Sequence, residues 1–286
     1  MTIVSCVDDE FSGDYTSYGE FTPGGKFSAK GGSVYLTMID ADFLDSYYAY
    51  YQSFSYTDGE LSSAGAKDID GDGMGLWGTI TVTHDPLLFN GWRGFLLTDI
   101  EQNSDGFITS LTNIDDYYTI TYDFSYDSSG HLTYFKEEGV SGTSAEYEWT
   151  LTWDSDKITE ITRNSSSSTL TTLTLSSFEY SSKYPNVTLQ YGTYVERIFA
   201  DLAEDEGFSM LFYLGYLGKA SSYHPISFTC TYEFTSENYT EEEEYFYYYK
   251  PTLNKDGSLK KMKVTEDWSN SSYSGSQHYT YTFSYE

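Results

Sequence analysis

Positive charge is what this sequence has least of. Lys and Arg number 15 against 44 Asp and Glu, giving a formal net charge of −29 over 286 residues. The isoelectric point is near 4.1. Nucleic-acid binding needs clustered Lys and Arg to neutralise phosphates, so that class is excluded. Direct attraction to an anionic membrane surface is excluded on the same ground. Ala is scarce and Lys few, which argues against a fold dominated by long helices. No apolar run reaches the roughly 18 residues that a transmembrane helix needs. The four histidines, His84, His131, His224 and His278, show no metal-ligand spacing, and no His-Glu-x-x-His occurs.

Aromatics are what the sequence has in excess. Tyr contributes 31 residues and Phe 18, and aromatics make up 19% of the chain. Disordered acidic chains are poor in such residues, so this one folds. Tyr, Phe, Thr and Val fit pleated, half-buried surfaces, and mostly β structure is expected. Four places share a Gly-ended turn followed by x-Leu or x-Ile: Asp58-Gly-Glu-Leu61, Asp105-Gly-Phe-Ile108, Ser129-Gly-His-Leu132 and Asp256-Gly-Ser-Leu259. Such turns need positive φ and mark hairpins. Tyr122, Phe124 and Tyr126 alternate in period two, as do Tyr245, Tyr247 and Tyr249. A further hairpin reads Tyr147, Trp149, Leu151, Trp153, then Asp154-Ser-Asp156, then Ile158 and Ile161. Residues 117 to 286 therefore read as an antiparallel meander of about eight to ten strands. One segment departs from period two. Tyr194, Val195, Ile198, Phe199 and Leu202 fall at helical spacing and predict one short helix ending before Gly207.

Three regions follow. Residues 1–33 form a Gly-, Ser- and acid-rich N-terminus and tether, 34–115 a β-rich N-terminal region, and 116–286 an antiparallel barrel-like domain. The two cysteines read differently. Cys230 lies in Phe228-Thr-Cys-Thr-Tyr-Glu-Phe234, where it shares a face with Phe228, Tyr232 and Phe234 and reads as a buried small hydrophobe. Cys6 ends the opening Met-Thr-Ile-Val-Ser-Cys and precedes Val-Asp-Asp-Glu. Small and apolar residues, a Cys, then acids resemble the end of a bacterial lipoprotein signal with a surface-export tag. The apolar stretch of such a signal would lie upstream of Met1. On that reading Cys6 is the lipidation site, and the protein is tethered to the membrane rather than spanning it.

The second half resembles a family of Bacteroidetes lipoproteins of unknown function with a porin-like β-barrel domain. The residues that carry the resemblance are Tyr122-Asp-Phe-Ser-Tyr-Asp-Ser-Ser-Gly-His-Leu132, the segment Leu211-Phe-Tyr-Leu-Gly-Tyr-Leu-Gly-Lys219, and the closing Tyr-Thr-Phe-Ser-Tyr285. The resemblance implies a barrel and an outer-membrane or cell-surface location, and it brings no catalytic residues. A lipid-facing strand is apolar along one face. Here Tyr and Phe alternate with Thr, Ser and Glu, and Glu241-Glu-Glu-Glu244 enters a strand, which would be costly against lipid. The expectation is a soluble barrel.

Two constellations are candidate sites. Asp68-Ile-Asp70-Gly-Asp72-Gly73 places three carboxylates at alternate positions before a Gly, as in the first half of a calcium loop. The twelfth position holds Thr79 instead of Glu, so a helix-flanked site is excluded. A calcium site between strands and a solvated acidic turn both fit. The second is aromatic: Tyr47, Tyr48, Tyr50 and Tyr51, with Tyr245, Tyr247 and Tyr249, form a candidate ligand platform. Sugar faces stack on Tyr, and nearby acids or amides bond the hydroxyls. The function expected is a non-catalytic binding module for a glycan or an envelope protein, with an envelope scaffold as the alternative and a carboxylate-pair glycoside hydrolase as the third.

Overall fold

The computed structural model describes residues 21–22, 26–29, 32–43, 49–69, 75–91, 96–114, 119–140, 145–165, 170–185, 211, 214–219, 221, 223–236, 239–254, 259–270 and 273–285. They form eighteen strands, and among the described residues Leu211 alone is helical. A short hairpin comes first, β1 (Phe21–Thr22) with β2 (Lys26–Ala29). The next seven are β3 (Gly32–Phe43), β4 (Ala49–Thr57), β5 (Glu60–Ile69), β6 (Gly75–His84), β7 (Leu87–Asn90), β8 (Leu96–Gln102) and β9 (Ile108–Ile114). Nine more complete the chain: β10 (Thr119–Tyr126), β11 (Leu132–Val140), β12 (Ala145–Asp154), β13 (Lys157–Ser165), β14 (Leu170–Pro185), β15 (Tyr223–Ser236), β16 (Tyr239–Leu253), β17 (Leu259–Ser269) and β18 (Ser274–Tyr285). The meander expected from residue 117 onward thus has nine strands. The helix expected over 194–203 lies outside the described residues.

Every neighbouring pair from β3 to β18 is antiparallel and hydrogen-bonded. The last strand pairs back onto the first long one, from Tyr279 opposite Phe43 to Tyr285 opposite Leu36. Each of these sixteen strands therefore has a ladder neighbour on both sides, which leaves no bare edge to template aggregation. The ladder also runs through the boundary drawn at residue 115. Thr119 to Asp123 of β10 pair with Ile114 to Ser110 of β9, so regions 34–115 and 116–286 contribute to one barrel.

The barrel is apolar inside and polar outside. Strand β10 shows the rule. Ile120, Tyr122 and Phe124 are buried, while Thr119, Thr121, Asp123 and Ser125 are exposed. Glu148, Thr150, Thr152 and Asp154 repeat the exposed face on β12. A porin wall is dressed the other way, with its apolar face toward lipid. The interior is one cluster of buried side chains reaching from Phe54 on β4 to Phe283 on β18. Rings run across its strands: Phe124 to Phe135 at 5.7 Å, then Phe135 to Trp149 at 5.2 Å. Each such pair adds about 0.5–1.5 kcal/mol beyond its buried area.

A meander sends alternate turns to opposite ends. At one end lie the turns β4–β5, β6–β7, β8–β9, β10–β11 and β12–β13. The first is a two-residue loop, Asp58-Gly59, with both φ angles positive at 53° and 82°, as the Asp-Gly signature requires. The β8–β9 and β10–β11 turns are copies of each other. The side chain of Asn103 accepts from the backbone N–H of Asp105 and Phe107, and that of Asp127 from Ser129 and His131. The residue after each turn is the first fully buried one on its strand: Leu61, Ile108 and Leu132. Its carbonyl is then taken by the next strand along. His84 Nε2 donates to Leu61 at 2.6 Å, Tyr126 to Ile108, and Trp153 Nε1 to Leu132 at 2.8 Å; Tyr180 reaches Ile158 likewise at 2.7 Å.

Beneath these turns the described part of the β14–β15 connection, residues 211 and 214–219, tucks into the core. Leu211, Leu214, Tyr216 and Leu217 are all buried. The Ile108 N–H donates to the Tyr216 carbonyl, and the Lys219 N–H to the Gly130 carbonyl at 2.8 Å. Tyr216 meets Phe89 edge-on, and burial holds its hydroxyl up at about 12. We call this the plug end. Strand β3 begins there and β18 finishes there. The opposite end, where β17 turns into β18, is the rim.

Candidate binding site at the rim

Interior polarity rises toward the rim. Strand β16 shows it residue by residue, because its odd positions face inward. Tyr249 and Tyr247 are 6% and 4% exposed, and their rings stack on Phe228 at 5.8 and 4.7 Å. Tyr245 and Glu243 come next and are half-buried. The outward residue of this run is Tyr248, 43% exposed. Of the candidate tyrosines on β16, then, Tyr247 and Tyr249 are inner-wall residues and Tyr245 is their rim-side neighbour.

Glu243 is the centre of a polar cluster. Its Oε1 accepts from Asn270 Nδ2 and from the Tyr273 hydroxyl, both at 3.1 Å. Its Oε2 accepts from the Tyr245 hydroxyl at 3.1 Å. Burial, and then the bond to Glu243, pushes the Tyr245 phenol well above its usual range. The β17–β18 turn positions Asn270 and Tyr273: Asn270 N–H donates to the Tyr273 carbonyl, and Tyr273 N–H to the Asn270 side chain. The Tyr273 ring stays 56% exposed. Beside it the Trp268 ring lies against the backbone of Gly275, so close that a Cβ there would meet the ring at 2.3 Å.

Deeper, Glu266 is buried and accepts from Gln277 Nε2 at 2.7 Å and from the Tyr247 hydroxyl at 3.4 Å. Burial, then Glu266, raises the Tyr247 phenol. On β11–β13, buried Glu137 takes the Trp149 Nε1–H at 2.7 Å. Arg163 lies beside them, with its guanidinium over the rings of Tyr147 and Trp149. The Tyr232 ring meets Tyr245 edge-on at 5.5 Å.

Of the remaining candidate residues, Tyr50, Tyr51 and Asp68 bear on the same end. Cys6, Tyr47, Tyr48, Asp70 and Asp72 lie outside the described residues. Tyr50 and Tyr51 belong to β4 and Asp68 to β5, with Tyr50 the direct cross-strand partner of Asp68. Tyr50, Tyr51 and Asp68 therefore sit on paired strands that head for the rim. Glu137, Arg163, Glu243, Glu266, Asn270 and Tyr273 were missed by sequence reasoning. The signal that finds the first, second and fourth is a charged residue in the inward register, two positions beyond Phe135, Ile161 and Val264.

No family model matches the chain, and no curated protein matches it. Among the solved structures similar in fold are two porin-like proteins. One is a porin-like protein from Bacteroides uniformis ATCC 8492, 16% identical, covering 93% of this chain and 99% of its own, with a TM-score of 0.64. The other is a porin-like protein from Bacteroides vulgatus ATCC 8482, 10% identical, covering 88% of this chain and 98% of its own, with a TM-score of 0.56. The fold is thus a porin-like antiparallel β-barrel.

Proposed function

We propose that the chain is a non-catalytic binding module of the cell envelope that takes a glycan at the rim. The observation that carries this reading is the exposed Tyr273 ring beside Glu243, Tyr245 and Asn270. A sugar ring stacks on such a face, while the carboxylate and amide accept and donate to its hydroxyls. Those groups are already fixed by one another, which lowers the ordering cost of binding. The lipoprotein-like opening at Cys6 supports surface display through a lipid anchor, and the porin-like fold of the two similar structures supports an envelope location. The Asp68 motif adds a calcium-dependent element to the same end.

The test is a thermal-melt screen of residues 7–286 against polysaccharides and host glycans, each with calcium and with chelator. A ligand that binds only the folded state raises the midpoint, by about 2.7 kcal/mol at a hundredfold excess over its Kd. Expected is a glycan-specific shift that Tyr273→Ala removes while the unliganded midpoint stays put. A panel without any shift, or a shift indifferent to Tyr273→Ala, would overturn the reading. In that event the scaffold alternative predicts a stable envelope partner in pull-downs.

A further inference from the structure

The strongest unexplained feature is Arg163. It sits on β13, opposite Trp149 on β12 and Leu173 on β14, and is 4% exposed. Its guanidinium carbon lies 4.9 Å from the Tyr147 ring centroid and 5.6 Å from that of Trp149. Among the described residues it makes no ion pair, and its Nε has no hydrogen-bond partner. A buried charge ordinarily carries a partner, because desolvation costs several kcal/mol otherwise. Burial depresses the Arg163 pKa; Tyr232, Tyr147 and Glu137 act against that. Stacking on aromatic faces satisfies the plane of the guanidinium but not the donors around its edge.

We infer that Arg163 is the anchor of an internal anion site that takes the carboxylate of a small monocarboxylate carrying a flat ring. The edge of the guanidinium offers parallel N–H donors, a geometry that a planar carboxylate matches in bidentate fashion. The charge around it sets the class of anion. Glu137 acts on Arg163 and is itself anchored by Trp149, so a dianion meets more repulsion than a monoanion does. Trp149 already carries the guanidinium and Phe135, so Tyr147 and Tyr232 are the rings that supply flat surface for the ligand's ring. Arg163 lies two residues from the rim end of β13, about 7 Å along the strand, so entry is from the rim. This site adjoins the Glu243–Tyr273 cluster through the Tyr232–Tyr245 contact, but it uses a different anchor and stands whether or not a glycan docks there.

The experiment is calorimetric titration of the full chain at low salt with benzoate, phenyl phosphate and the neutral benzyl alcohol, with thermal melts alongside. Expected for the wild type is that benzoate binds about tenfold or more tightly than benzyl alcohol, the worth of one charge-assisted bond, and more tightly than phenyl phosphate. Arg163→Met should lose benzoate binding yet melt at or above the unliganded wild type, since it removes an unpaired buried charge. Tyr273→Ala should bind benzoate as the wild type does. Equal binding of benzoate and benzyl alcohol, no binding of either, or tighter binding of phenyl phosphate would overturn the assignment. So would undiminished binding by Arg163→Met, or its melting several degrees below wild type. Should that variant not fold, the benzoate and benzyl alcohol comparison on the wild type decides alone.

Discussion

Gly218→Ala is the sharpest perturbation of the plug. Gly218 has φ of +95°, a conformation that L side chains rarely adopt and that costs about 1–3 kcal/mol when forced. A Cβ there would also stand 2.9 Å from the Leu132 nitrogen and 3.0 Å from both the Gly130 oxygen and a Tyr126 ring carbon. Two of these contacts are backbone, so the neighbours cannot rotate away, and overpacking of this kind costs about another 1–3 kcal/mol. The sum is about 2–6 kcal/mol. For a chain of this size each kcal/mol moves the midpoint by about 2 °C, so scanning calorimetry should read a drop of about 4–12 °C. The bonds at stake are Ile108 to Tyr216 and Lys219 to Gly130, which hold the plug to two turns. Ser129→Ala serves as the control. Ser129 is exposed, and its backbone N–H makes the turn's bond, so its variant should melt with the wild type. A Gly218→Ala midpoint within about a degree of wild type would show that the connection is not seated against those turns.

Three further outcomes follow from buried polar groups. Asn113 is fully buried with neither side-chain atom bonded among the described residues; Asn113→Leu should therefore raise urea-unfolding stability by about 1–3 kcal/mol, and a loss instead would mean that the amide is bonded. Trp149→Phe strips Glu137 of its indole donor and should cost about 3 kcal/mol in the same assay; a neutral result would refute that bond. For Asp127, burial alone would raise the carboxyl, but the His131 backbone and ring and the Ser129 N–H outweigh it and hold the pKa below 3.8. A folded pKa below the unfolded one gives stability that is present above that range and fades as pH falls through it. Asp127→Asn should thus be less stable than wild type near pH 5, with the gap closing in stronger acid; a gap independent of pH would contradict the assignment.

Much of the architecture was legible because period two is a local property. The run Phe228, Cys230, Tyr232, Phe234 and the Gly-ended turns each declare a strand or a hairpin without reference to anything distant. The x-Leu or x-Ile after three of those turns also had a meaning, namely the first fully buried side chain of its strand: Leu61, Ile108 and Leu132. The site was less legible for a physical reason. Glu243 gains its role from Asn270 and Tyr273, 27 and 30 residues away, and no local pattern encodes a ladder register. The tyrosines of β16 were found by type but placed on a surface platform. The face of an isolated strand is undetermined until Phe228 on its neighbour shows which side is core. The boundary near residue 115 followed a shift in glycine content, whereas backbone pairing of β9 with β10 takes no account of composition.

Strand parity has a consequence for orientation. An even number of antiparallel strands brings the start of β3 and the finish of β18 to the plug end. The strand before β3 is found at the same end, with Ala29 of β2 opposite Gly32 of β3. Glu243 and Tyr273 therefore lie at the end that carries neither terminus of the sixteen-strand ladder. Approach then has a defined polarity, and a ligand drawn along the axis from the rim toward Arg163 would travel toward both strand termini, with Leu211, Leu214, Tyr216 and Leu217 as the floor beneath.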